Sequence, residues 1–272
     1  MTRWAAFAGV TLTVLALLLV LARLSQSAVG PHVPRARRRF DRLDDGAGHL
    51  EATAVPARRP ASPAAATLTE PGPAPTTPTL LANVTVSHGL FGALLLGGVW
   101  LADVPAAALG VTAAPLSTGP PAVAAGLALG VGIALANTLA AGLAGVLDAD
   151  PSRELRALLA PDSAGGWAVL LGVVLPVIAA FEELLFRAAL VGGFAAGFGV
   201  SPWPLAVLSS VAFAAGHGAQ GRLGVVVTGL LGFVLAAAFV ITESLLAVVV
   251  AHYVVNAVEF GLAEGLGREP FR

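Results

Sequence analysis

The chain has no cysteine and no lysine, and only one methionine and one tyrosine. Without cysteine there can be no disulfide framework, no thiolate metal site and no cysteine nucleophile. Charge is also scarce. Charged residues make up 11% of the 272 positions, against roughly 25% in an ordinary soluble domain. Hydrophobic residues make up 57%, and a soluble fold of this length cannot hide so many, because a large share of any folded surface faces the solvent. With a mean hydropathy of +0.85, the solvent that fits is lipid. The net charge of −1 argues against a nucleic-acid partner, which needs a basic surface. The one arginine cluster lies beside an apolar run, where membrane topology accounts for it.

What is present is a series of apolar runs. Trp4 to Ala22 is long enough to cross a bilayer, which takes about 20 residues. A cleaved signal peptide usually places positive charge ahead of a shorter apolar region. Here Arg3 stands alone in front, and Arg23, Arg35, Arg37, Arg38, Arg39 and Arg42 follow. We therefore read residues 1–24 as an uncleaved anchor with its N-terminus outside and the arginines in the cytoplasm. Residues 25–80 hold the arginine cluster and a Pro-, Ala- and Thr-rich tract from Pro56 to Pro78. That composition blocks helix and offers little bulky apolar surface, so a disordered cytoplasmic linker is expected. Residues 81–264 are expected to form a multi-span membrane domain, with spans at 81–102, 121–147, 167–192, 203–220, 223–241 and 243–264. A short interfacial helix is expected at Pro151 to Arg156, and residues 265–272 form a tail. The expected fold class is all-α, a polytopic transmembrane helix bundle of about seven spans in the cell membrane. An outside N-terminus then leaves the C-terminus in the cytoplasm, in keeping with Arg222, Arg268 and Arg272.

An ionisable side chain in the hydrocarbon core costs at least about 2.5–3.5 kcal/mol, so each one calls for an explanation. The first three spans carry almost none; His88 and Asn137 are read as structural. The later spans differ. The fourth holds Phe181-Glu182-Glu183-Leu184-Leu185-Phe186-Arg187, the fifth Phe213-Ala214-Ala215-Gly216-His217, and the seventh His252-Tyr253-Val254-Val255-Asn256. Counted inward from the outer ends of their spans, Glu182, His217 and His252 lie roughly 15, 21 and 14 Å deep at 1.5 Å per residue. That is close to the midplane of a core about 30 Å thick, so three helices bring polar groups to one level. Glu183 and Arg187 are four apart and can pair on one helix face, leaving Glu182 to face elsewhere. His252 and Asn256 also share a face, and an asparagine amide is a recurring donor to a developing oxyanion. Ser209 and Ser210 are read as helix-contact residues.

A double glutamate with arginine four positions after the second, then Phe-x-x-x-His, then His-x-x-x-Asn, resembles the CAAX protease and bacteriocin-processing family. That family includes type II CAAX prenyl endopeptidases and abortive-infection proteins. The resemblance spans about residues 121–264 and leaves out the first span and the linker. It implies an intramembrane endopeptidase in which Glu182, His217, His252 and Asn256 are catalytic and Glu183 and Arg187 support them. Two routes stay open. Glu182 and His217 activate a water directly, or Glu182, His217 and His252 hold one divalent ion, zinc by ligand type. The compact His-Glu-x-x-His helix that would mark a zinc protease is missing. The expected partners are the lipid bilayer and a membrane protein or peptide substrate, with oligomeric state left open. Two readings from other classes also stay open: a proton-coupled membrane transporter, since intramembrane Glu, His and Arg also mark ion pathways, and a non-catalytic scaffold or immunity protein. No internal repeat supports the transporter.

Overall fold

The computed structural model describes residues 1–29, 76–144 and 156–265. Most of the expected linker, the expected interfacial helix up to residue 155 and nearly all of the C-terminal tail lie outside the described residues. Seven apolar helices account for most of what is described: α1 (Trp4–Val29), α2 (Thr77–Leu101), α3 (Pro120–Ala144), α4 (Ala164–Phe198), α5 (Pro202–Gly216), α6 (Gly221–Thr242) and α7 (Leu245–Phe260). A π-helical turn, Gly261–Gly265, prolongs α7. Among the described residues there is no strand. Helix is the expected outcome for long apolar runs, because in lipid every backbone N–H and C=O must find its partner within the segment. The prolines respect this. Pro78, Pro120 and Pro202 all stand in the first turn of a helix, where no N–H is needed. Pro78, read as the end of the linker tract, is therefore already inside α2.

Five segments are long and apolar enough to cross a membrane: Trp4–Leu24, Thr77–Leu101, Pro120–Leu139, Ala164–Phe198 and Gly218–Thr242. The other two helices are apolar but shorter, 15 residues in α5 and 16 in α7. At 1.5 Å per residue these are about 22 and 24 Å long, against about 30 Å of hydrocarbon. Seven spans were expected; seven helices occupy those segments, and five have the length of a span.

All seven helices run between the same two ends of the bundle. At one end the Arg3 N–H donates to the Ala102 carbonyl, Ser244 donates to Ser117, and Trp4 covers Gly197. At the other end Thr77 donates to Leu158, Leu19 approaches Gly216, and Gly265 lies against Trp167. The first expected span is thus packed into the body of the molecule. Phe7 and Val14 are buried with Leu95, Phe181, Leu185, Phe186 and Phe213.

α4 is the central element. Over its best apolar window 56% of it is buried inside the protein, against 11–28% for the other four long segments. Every residue from Phe181 to Val191 is buried. Helix α4 is not regular throughout. Leu170–Val174 and Leu184–Gly193 are π-helical, and such wide turns are frequent at functional sites. The first stands just before Pro176, whose ring crowds the preceding turn and which has no N–H to donate. The expected end of this span at 192 is passed. The helix continues through Gly192 and Gly193 and stops at Gly199, whose φ of 65° is the left-handed cap that favours glycine.

Candidate active site

The site forms where α2, α4, α5 and α7 meet. Glu182 and Glu183 sit on α4 immediately before its long π-helical stretch. Consecutive helix positions point about 100° apart, so the two carboxylates enter different surroundings. Glu183 is fully enclosed. Its Oε1 accepts from Arg187 Nη1 at 2.6 Å and from His252 Nδ1 at 2.6 Å. Arg187 is equally buried. Its Nη2 donates to the Gly232 carbonyl on α6 at 3.0 Å, and its guanidinium lies 4.6 Å from the Phe213 ring centre on α5. This pair therefore ties α4 to α5, α6 and α7. Glu183 Oε2 and Arg187 Nε are buried without a hydrogen-bond partner, so the pair is not fully satisfied. Such an arrangement is better suited to holding geometry than to adding stability.

Glu182 faces a ring of imidazoles. His252 Nε2 stands 3.5 Å from Oε2, while His217 Nε2 and His88 Nε2 stand 4.0 and 3.9 Å from Oε1. The other nitrogen of each ring is occupied. His252 Nδ1 meets Glu183, His217 Nδ1 meets the Phe213 carbonyl at 2.8 Å, and His88 Nδ1 meets the Val84 carbonyl at 2.9 Å. A carbonyl or a carboxylate can only accept, so Nδ1 carries the proton in all three rings and Nε2 is the atom left to act at Glu182. His217 is the first residue beyond the end of α5. Its side chain is 27% exposed, the most open of the three.

The structure thus gathers Glu182, Glu183, Arg187, His217 and His252, all of them expected at the site. Asn256 lies one turn beyond His252 on α7. It is half-buried, and its amide has no hydrogen-bond partner among the described residues. His88, read from the sequence as structural, belongs to the ring. Asn137 does not; it donates to Glu259 at 3.4 Å. The Ser209 and Ser210 hydroxyls donate to the backbone carbonyls of Phe186 and Ala206, as expected of helix-contact serines.

Imidazole and carboxylate are suitable donors for zinc, and a ligating histidine usually has its far nitrogen tied as these are. The spacing is looser than a closed shell requires. Four ligands about 2.0–2.1 Å from one ion stand roughly 3.3 Å from each other, whereas the three separations here are 3.5, 3.9 and 4.0 Å. Among the described residues no group of three His, Asp or Glu side chains is arranged to hold a cation. Chemically, the cluster is a carboxylate flanked by hydrogen-bond acceptors, set to hold a water and take a proton from it.

Residues 164–258 match the family model for Rce1-like type II CAAX prenyl endopeptidases. No curated protein matches the chain, and no solved structure does. The family match bears out the resemblance drawn from the three motifs. It runs from the start of α4 to near the end of α7 and so includes Glu182, Glu183, Arg187, His217, His252 and Asn256. It leaves out α1, α2 and α3.

Proposed function

We propose that the chain is an intramembrane endopeptidase of the CAAX type, spanning the membrane seven times and hydrolysing a peptide bond at or near the bilayer. The observation that carries this reading is the buried Glu182 carboxylate with His217 and His252 Nε2 within 4.0 Å, each side chain coming from a different helix. Glu182, acting with His217, takes one proton from a water, whose oxygen attacks the carbonyl carbon of the substrate. Asn256 and His252, the latter protonated on both ring nitrogens with Nδ1 held by Glu183, donate to the oxyanion that forms. Collapse breaks the C–N bond, and the proton taken from water passes to the leaving amine. Glu183 and Arg187 fix the orientation of His252. His217, partly exposed, stands at the end of α5 read as cytoplasmic, and the substrate is a membrane protein or peptide entering from that side.

The test is cleavage of a quenched fluorescent peptide library by the detergent-purified protein, with Glu182→Gln and His252→Ala alongside. A general base contributes about 100- to 10,000-fold and an oxyanion donor about 100- to 1,000-fold, so each variant is expected to lose at least about 100-fold in kcat. Cleavage that survives Glu182→Gln would sink the reading. A chelator arm settles the alternative in which Glu182, His217 and His252 hold a divalent ion. Activity that persists in the chelator supports the direct route, and activity lost and then restored by zinc supports the metal.

A further inference from the structure

His88 lies on α2, outside the matched region, yet its geometry repeats that of His217. Each ring gives its Nδ1 proton to the carbonyl four residues back, Val84 or Phe213, and each turns Nε2 towards the same oxygen, Glu182 Oε1. Neither separation, 3.9 or 4.0 Å, is a direct hydrogen bond, which ends near 3.2 Å. Each gap suits a bridging water, because a molecule about 2.8 Å from each of two atoms can span a distance of this size. The His88 ring is also held in place. It meets Phe181 edge-on at 5.4 Å, and Phe181 is stacked on Phe91.

We infer that His88 is a further catalytic residue, binding the attacking water at Glu182 Oε1 together with His217. This rests on the protease reading above. The water has two hydrogens and they have different fates. One is removed by Glu182, acting with His217. The other stays on the attacking oxygen, and His88 Nε2 holds it, so that the free lone pair is aimed at the substrate carbonyl. The reaction centre therefore takes one of its groups from α2, and the region from α4 to α7 is incomplete without it.

The competing role for His88 is packing against Phe181, and two substitutions separate them. His88→Phe keeps a ring on Phe181 and removes both nitrogens. His88→Gln loses the ring but places an amide near the position of Nε2. Both are measured for kcat and KM on the library peptide that the wild-type protein cleaves fastest, with Glu182→Gln in parallel and melting temperature as the fold control. Loss of an aligned water is expected to lower kcat of His88→Phe about 10- to 100-fold, with KM within about twofold and His88→Gln falling between it and wild type. Should His88→Phe fail to fold, the kcat of His88→Gln decides, a fall at constant KM supporting the role and a wild-type value overturning it. Wild-type kcat in His88→Phe, or His88→Gln no better than His88→Phe, also overturns it. Cleavage that survives Glu182→Gln removes the protease reading and this inference together. Cleavage lost in Glu182→Gln but intact in His88→Phe removes this inference alone.

Discussion

Arg187 is the largest fully buried side chain among the described residues, and it is charged. Its partners are Glu183 Oε1, the Gly232 carbonyl and the face of Phe213. Removing one member of a buried pair is costly because the other charge stays behind; about 3–5 kcal/mol is typical. Arg187→Met is thus expected to destabilise the detergent-solubilised protein by about that much in reversible unfolding. The double variant Glu183→Gln with Arg187→Met is expected to regain part of the loss, since no lone carboxylate remains. A double variant no more stable than Arg187→Met would mean that the arginine acts through packing alone. Arg187→Lys is not a conservative change here, because a single ammonium cannot reproduce the two-pronged contact with Glu183 and Gly232. The pairing of Glu183 with Arg187 was legible in the sequence, since four residues on a helix is a contact distance. The bond from Glu183 to His252 was not, since it links α4 to α7 and exists only once the helices pack. His88 could have been found. It lies seven residues from both Leu81 and Leu95, on the buried face of α2, and at 1.5 Å per residue it is about 17 Å from the start of that helix. The depth count that joined Glu182, His217 and His252 would have included it. No motif surrounds it, so in the sequence depth alone marks it.

At the scale of the element, α3 and α7 approach closely, and glycine makes it possible. A Cβ at Gly126 or Gly130 would stand 2.5 or 2.7 Å from the carbonyl oxygen of Ala247 or Ala251. This is a Gly-x-x-x-Gly contact, a common way for membrane helices to bring their backbones together. Gly132, two residues further on, has open space where its Cβ would be and provides an internal control. Gly130→Leu is expected to destabilise the bundle by about 1–3 kcal/mol, as overpacking does. Gly132→Leu is expected to stay within about 0.5 kcal/mol of wild type. Equal effects would show that the loss does not arise from the contact with α7. Because α7 carries His252 and Asn256, Gly130→Leu is also expected to lower cleavage by the protein that remains folded. Existence and order of the helices were readable from hydropathy alone. Their ends were less so. The span was expected to end at 192, yet Gly192 and Gly193 sit inside α4, and their small size admits Phe7 and the 3-10 turn at Ala108 in close contact. Close packing by distant segments carries α4 past that point.

For the whole molecule, the topology turns on α5. It is the shortest of the seven at 15 residues, and it brings both Phe213, under Arg187, and His217 to the site. Three features argue that it crosses. Helix α1 lies against its far end through Leu19 and Gly216. The 3-10 turn Gly218–Gln220 continues the chain in the same region. A bilayer also thins locally around a short span at modest cost. The absence of cysteine makes this directly testable, because single cysteines can be introduced with no background. Ser201→Cys and Arg222→Cys flank α5 at exposed positions. With an outside N-terminus and seven crossings, a membrane-impermeant maleimide added to intact cells is expected to label Ser201→Cys, and to reach Arg222→Cys only after permeabilisation. The reverse pattern would invert the orientation and keep the span count. Labelling of both from the same side would mean that α5 dips into the bilayer and returns. His217 would then open to the same face as the loop before α5, and a substrate would reach Glu182 from that side instead.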